Sequence, residues 1–237
     1  MTSATLDLER ARFNMIEQQI RPWDVLDPTV LELLSVVRRE EFVPPTLRAL
    51  AFTDMELPLR ISVGGTQVDT GEVMLAPKIE ARFMQELAIR AHESVLEIGT
   101  GSGYMAALAA HRAAHVTTVE IRPDLADFAH ANLRRAGVHN VKVEVGDGAQ
   151  GWRVGAASAP ATQFDVIIVS GALPLVPPSL LKQLKSGGRL AAIVGSEPVM
   201  HAQVITRNRA DGFDTVTLFE TLTKPLTNAL QPSRFKF

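Results

Sequence analysis

Cysteine is absent from this chain of 237 residues. That excludes a disulfide framework, a thiolate nucleophile and any thiolate metal site. Aromatic residues are few, at 5%, with two tryptophans; Trp23 and Trp152 read as core or interface anchors rather than as platforms for stacked bases. Neither sign of charge prevails, since 24 Lys and Arg set against 26 Asp and Glu leave −2. No basic field therefore draws the chain to nucleic acid or to an anionic membrane. No run approaches the roughly 18 consecutive apolar residues of a membrane span, and the opening MTSATLDLERARFN has no apolar signal core. A cytoplasmic protein is the expectation. His92, His111, His115, His130, His139 and His201 show no ligand spacing with carboxylates, so no metal site is expected.

What the chain does have is apolar mass and punctuation. With 46% hydrophobic residues it can bury a substantial core, and its length allows one domain or two small ones. Residues 1–60 read as helical, broken at Pro22, Pro28, Pro44 and Pro45. Asp27-Pro28 offers an N-cap and an N1 proline for a helix through Val30–Arg38. The Arg38-Arg39-Glu40-Glu41 run reads as its solvated end. Residues 61–75, ISVGGTQVDTGEVML, suggest a hairpin or a mobile loop. From Pro77 helices alternate with apolar strands. The helices are expected at Lys78–Ala91, 104–113, Pro123–Ala136 and Pro178–Leu184. The strands are expected at 94–98, 115–119, 141–145, Phe164–Val169 and Arg189–Val194. Such alternation with short loops predicts a doubly wound, mainly parallel α/β sheet. Gly187-Gly188 reads as the turn into the last of these strands. Ala202–Thr206 and Thr215–Thr221 then fit a terminal antiparallel hairpin whose turn includes Asp211-Gly212.

The most informative stretch is Val95 to Tyr104, VLEIGTGSGY. An apolar strand ending on Glu97-Ile98 runs into three alternate glycines, Gly99, Gly101 and Gly103, with Thr100 and Ser102 between them. The Ala-rich start of a helix follows. Strand, glycine turn and helix are where a nucleotide-like ligand meets bare backbone in an open α/β sheet. Glu120 ends the next strand, 21 residues after Gly99, and is placed to accept hydrogen bonds from ribose hydroxyls. A dinucleotide loop, G-x-G-x-x-G, would need glycine where Tyr104 stands. The form E-x-G-x-G-x-G resembles instead the first motif of S-adenosylmethionine (AdoMet)-dependent methyltransferases. A glycine turn serving only packing is the plain alternative. Gly146-Asp147-Gly148, at the tip of strand 141–145, can accept the amino hydrogens of adenine at Asp147, or it can be an Asx turn. Ser170-Gly171-Ala172 ends the strand Phe164–Val169. It leaves room for a methyl donor and its acceptor at Ser170, or merely stops the strand.

Beyond these glycines the chain resembles the protein-L-isoaspartate O-methyltransferases over roughly residues 12–225. The likeness is carried by MIEQQIRPWDVLDPTVLELLSVVRREEFVP at 15–44, by Asp54 with Leu57-Pro58-Leu59, and by VLEIGTGSGY. GDGAQGW at 146–152, FDVIIVSGALP at 164–174 and LLKQLKSGGRLAAIVG at 180–195 extend it. The resemblance implies a Rossmann-like sheet with an N-terminal helical addition and a C-terminal strand reversal. It divides the chain into an N-terminal helical region with the substrate-side loop (1–76) and an AdoMet-binding domain (77–237). It also implies AdoMet as cofactor and an isoaspartyl-bearing peptide or protein as substrate. The sequence leaves the oligomeric state open. Glu97, Gly99, Thr100, Gly101, Ser102, Gly103, Glu120, Asp147, Gly148 and Ser170 are the expected cofactor residues.

One departure stands out. Where that family reads approximately T-I-S-[AQ]-P, this chain reads Val73-Met74-Leu75-Ala76-Pro77. Two hydroxyls are replaced by apolar side chains at Val73 and Leu75, and a carboxylate without hydrogen-bond partners is costly. Ser62, Thr66, Gln67 and Thr70 in the preceding loop are the groups that could substitute in space. The catalytic residue is therefore open. The departure leaves three expectations: an isoaspartyl methyltransferase, a relative with another acceptor, or a cofactor-binding module without catalysis.

Overall fold

A computed structural model describes residues 3–154, 162–209 and 212–232. Helix α1 (Ser3–Met15) continues into a π-helical turn, and α2 (Pro28–Val36) follows. The Asp27 carboxylate accepts the Thr29 amide at 2.8 Å and caps α2, whose proline at N1 has no amide to lose. Strands β1 (Leu57–Val63) and β2 (Thr66–Met74) form an antiparallel hairpin. The hairpin expected between 61 and 75 is thus present, and β1 extends it back to Leu57.

Next come α3 (Pro77–Leu87), β3 (Ser94–Ile98), α4 (Tyr104–Ala110), β4 (His115–Glu120), α5 (Pro123–Arg135) and β5 (Val141–Val145). The chain then forms β6 (Phe164–Leu173), α6 (Pro178–Leu181), β7 (Leu184–Ser196), β8 (Val199–Arg207) and β9 (Phe213–Thr221). The seven-stranded sheet has the order β5-β4-β3-β6-β7-β8-β9. The first five are parallel, and β8 and β9 run antiparallel at the edge. From β3 the chain moves outward through β4 and β5, then crosses back to lay β6 on the other side. That reversal opens a crevice at the carboxyl ends of β3 and β6.

Both faces of the central strands are buried, which explains their nearly continuous apolar runs. Val95, Val116, Val166 and Ile168 share one core with Phe83, Tyr104, Leu133 and the N-terminal residues Ile20, Leu34 and Phe42. Leu96, Ile98, Ile167 and Val169 pack on the other face with Leu180, and Trp152 leans on that cluster. Trp23 is more exposed, with Phe219 edge-on to its ring at 5.7 Å and the Lys78 ammonium over it at 4.0 Å.

Several local expectations are corrected by long-range contacts. Helix α3 stops at Leu87 rather than Ala91, where Ala88 turns left-handed at φ 41°. Arg189 of β7 ties that end down by donating to the Leu87 and Ala88 carbonyls, which the helix leaves unpaired. Helix α6 ends at Leu181 because Leu184 already pairs with Phe164. Gly187-Gly188 is therefore no turn before the strand. It is a bulge inside β7, and a Cβ on Gly188 would stand 2.9 Å from the Lys185 carbonyl oxygen. Strand β6 runs past Ser170 to Leu173, since β7 pairs with Ala172 and Leu173 on one side and the tail supplies partners on the other: Ala172 donates to Lys224 and accepts from Leu226. The Arg38–Glu41 run is not a solvated helix end. Arg39 and Glu40 are buried and paired with Glu80 and Arg12. In the β8–β9 turn, Gly212 exchanges hydrogen bonds with Asn208, while Asp211 lies outside the described residues.

Candidate active site

The glycine turn leaves β3 at the carboxyl edge of the sheet. The Gly99 amide donates to Val119 of β4 at 2.9 Å. Its φ is +91°, and a Cβ there would come within 3.1 Å of the Ser170 carbonyl oxygen; only glycine satisfies both demands. Thr100 and Ser102 are buried in the turn, and Gly103 begins α4 by accepting the Ala107 amide. Glu120, at the end of β4, accepts the Gly101 amide at 2.9 Å and the Arg122 amide at 3.1 Å. Burial raises its pKa, and these amides pull it back.

Asp147, after β5, closes the Asx turn that the sequence allowed by accepting the Ala149 amide at 3.0 Å. Its other oxygen accepts from Asn228 at 2.9 Å. Gly148 lies so close to β3 that a Cβ would meet the Ile98 side chain at 2.7 Å.

Glu97, Gly99, Thr100, Gly101, Ser102, Glu120, Asp147, Gly148 and Ser170 line two adjoining clefts; Gly103 lies behind them in the turn. The larger is open to solvent, spans about 680 Å³ and includes Gly99, Gly101, Glu120, Asp147, Gly148 and Ser170. Leu59, Val73, Val119 and Leu125 give it apolar walls. The smaller, about 270 Å³, shares Val73, Gly99, Gly101 and Ser170 with it and adds Leu75, Glu80, Glu97, Thr100, Ser102 and Met105. A nucleoside with a short cationic chain suits this pair of spaces, with carboxylates at both ends.

Glu97 is fully buried, and Thr118 at 2.6 Å and Ser170 at 2.8 Å donate to its two oxygens. Thr118 and Thr100 hydroxyls meet at 2.7 Å, extending that network into the glycine turn. Burial pushes the Glu97 pKa up to about 8, against the two hydroxyls. Burial likewise pushes Glu80 up to about 7, with Arg39 opposing it. The Ser170 hydroxyl thus faces a neighbouring strand as well as the clefts.

The loop groups considered as substitutes for the missing hydroxyls stay outside both clefts. Ser62, Thr66 and Gln67 are exposed on the hairpin, and the Thr70 hydroxyl donates to the Leu59 carbonyl at 2.6 Å. Val73 and Leu75 do line the smaller cleft. Sequence reasoning missed the tail. Thr223 to Thr227 line the larger cleft, and Leu226 approaches Gly99 and Gly171 so closely that a Cβ on Gly171 would lie 2.7 Å from it. Gly171, standing in an apolar strand, is the one local sign of that approach.

Helices flanking a mainly parallel sheet, with the alternate-glycine turn after Glu97 and Glu120 on the next strand at its carboxyl edge, match the Rossmann-like methyltransferase fold. Residues 10–231 match the family model described as Protein-L-isoaspartate(D-aspartate) O-methyltransferase. The chain is 44% identical over 186 residues to the protein-L-isoaspartate O-methyltransferase of Methanoculleus marisnigri, covering 78% of each chain. It is 37% identical to that of Koribacter versatilis over 219 residues, 92% of this chain and 90% of the relative. This chain belongs to the protein-L-isoaspartate O-methyltransferase family. A solved protein-L-isoaspartate O-methyltransferase shares its fold with a TM-score of 0.72, at 24% identity over 93% of this chain and 67% of that one. So does a Plasmodium falciparum protein assigned to the same activity and solved with S-adenosyl-L-homocysteine. Its TM-score is 0.70, at 18% identity over 90% of this chain and 97% of that one.

Proposed function

We propose that this protein transfers the methyl group of AdoMet to the free carboxylate of L-isoaspartyl residues in damaged proteins. The observation that carries the reading is the glycine turn between Glu97 and Glu120, opening on paired clefts in a chain of this family. The residues fit the cofactor. Glu120 would take the ribose hydroxyls and Asp147 the adenine amino group, with Gly148 keeping the wall thin. Gly99, Thr100, Gly101, Ser102 and Gly103 would carry the amino-acid end, with Glu97 and Ser170 beneath its charged groups. When bound, AdoMet supplies an electrophilic methyl on a sulfonium.

The acceptor needs no general base, because a carboxylate is already ionised at neutral pH. The work of the chain is to bring that oxygen in line and exclude water. Residues 1–76 are assigned to the substrate side and 77–237 to the cofactor side. A cytoplasmic location accords with the cysteine-free composition. Among the described residues no helix is long and apolar enough to cross a membrane, and the partners are protein or peptide substrates rather than nucleic acid.

Val73 and Leu75 favour a second reading, in which the same machinery serves a less polar acceptor. Labelled AdoMet and an L-isoaspartyl peptide separate the two. A base-labile methyl ester is expected. Tight S-adenosyl-L-homocysteine binding without ester would transfer the assignment to the second reading or to a non-catalytic binding module.

A further inference from the structure

β2 ends at Met74 and α3 begins at Pro77, so Leu75-Ala76 alone joins the hairpin to the sheet domain. Pro77 holds Ala76 extended, at φ −61° and ψ 140°. Leu75 of that link, with Val73 and Met74, forms the wall of the smaller cleft where the sequence lacks hydroxyls, so on that wall the backbone placement matters more than side-chain polarity. A buried side chain anchors this wall. Arg39, from the N-terminal region, donates through one guanidinium nitrogen to the Leu75 carbonyl at 2.6 Å and through the other to the Glu80 carboxylate. Its carbon lies 5.2 Å from the centre of the Tyr104 ring, which opens the helix after the glycine turn. One fully buried fork therefore touches the hairpin's end, the first turn of α3 and the start of α4.

A buried ion pair adds little net stability, and an apolar replacement is often neutral or better. This pair spans two acceptors that a planar guanidinium can satisfy together and a compact ammonium cannot. We propose that Arg39 is a positioning residue for methyl transfer, with Glu80 as its buried counter-ion, and that it holds the Leu75 peptide as the acceptor-side wall of the cleft. The proposal rests on the methyltransferase reading above for its functional part, while the anchoring part stands on the free protein.

Arg39→Lys keeps a cation for Glu80 and loses the fork. Hydrogen–deuterium exchange on the ligand-free protein should show faster exchange confined to the segment around Met74–Ala76. On an isoaspartyl peptide kcat should fall about 10- to 100-fold, as expected of a misplaced reacting group, with S-adenosyl-L-homocysteine affinity and melting temperature near wild type. If the lysine variant does not fold, the double variant Arg39→Met/Glu80→Met removes both charges together and is read by the same exchange measurement. Wild-type exchange and wild-type kcat in a folded variant would overturn the proposal. So would losses of affinity, melting temperature and kcat in equal measure, which mark an ordinary structural pair. A wild-type protein that binds S-adenosyl-L-homocysteine but leaves the peptide unmethylated would overturn the proposed activity instead, and the exchange result then decides the anchor by itself.

Discussion

The Ser170 hydroxyl of β6 donates to the Glu97 carboxyl of β3 at 2.8 Å, binding together the two strands between which the sheet reverses direction. On the far side the same carboxyl accepts from Thr118 of β4. Three adjacent strands thus converge on one buried acid at the floor of the smaller cleft. A cationic ligand above it would meet a group that can change its protonation to suit.

That acid makes stability depend on pH. A carboxyl with a folded pKa near 8 and an ordinary unfolded value near 4.5 binds a proton in the native state that the unfolded chain has released. Its contribution is full below the unfolded value and is lost as pH rises through the folded one. Glu80, raised to about 7, acts in the same direction. The unfolding free energy should fall by up to about 1.4 kcal/mol per pH unit for each group, between pH 5 and pH 7 for Glu80 and between pH 5 and pH 8 for Glu97. Glu97→Gln should flatten that slope in denaturant titrations at several pH values. An unchanged slope would remove Glu97 as the titrating group.

Glu120→Ala should weaken S-adenosyl-L-homocysteine binding by about 1.5–3 kcal/mol, the range for a hydrogen bond to a charged acceptor. 5′-Methylthioadenosine, which keeps the ribose and lacks the amino-acid end, should lose as much. Calorimetry with both ligands checks this, and a variant that still binds either one at full strength contradicts the ribose assignment.

Leu75→Ser puts a hydroxyl on the wall of the smaller cleft that Val73, Met74 and Leu75 make apolar. If acceptor recognition is limited there, kcat/KM on an isoaspartyl peptide should rise by about tenfold or more. Part of the rise should appear in kcat, because a hydrogen bond that strengthens in the transition state lowers the barrier itself. A fully active wild type crippled by the change would show that the apolar wall is itself the adapted solution.

Above pH 7, where Glu80 is ionised, Arg39→Met alone should destabilise the fold by about 3–5 kcal/mol, since the Glu80 charge is left buried and unpaired. Adding Glu80→Met should recover most of that loss. Chemical denaturation of the three proteins gives the comparison. Equal stability in single and double variants would mean that Glu80 escapes its burial by another route.

The site was legible where its chemistry is local. Alternate glycines after an apolar strand, Glu120 at the end of the next, and Asp147 between glycines all sit on turns whose dihedrals and burial are set within a few residues. The sheet, its parallel strands and its closing antiparallel pair follow from periodicity of the same short range, and the Asp27 cap from two neighbours. The Arg39–Glu80 pair joins residues 41 apart, and a run of four charges looks solvated until a distant partner buries it. Strand β6 outlasts Ser170 because β7 pairs with Ala172 and Leu173 and because Lys224 and Leu226 reach back to Ala172, and α3 stops short because Arg189 holds its last carbonyls. By itself the sequence determined the elements, the glycine turn and the acids at the sheet's edge, because each depends on neighbours along the chain. Tertiary structure alone decided which hydroxyls turn away from the clefts, which charges are buried and which tail residues line the larger cleft, because those depend on partners the chain brings together only when it closes on itself.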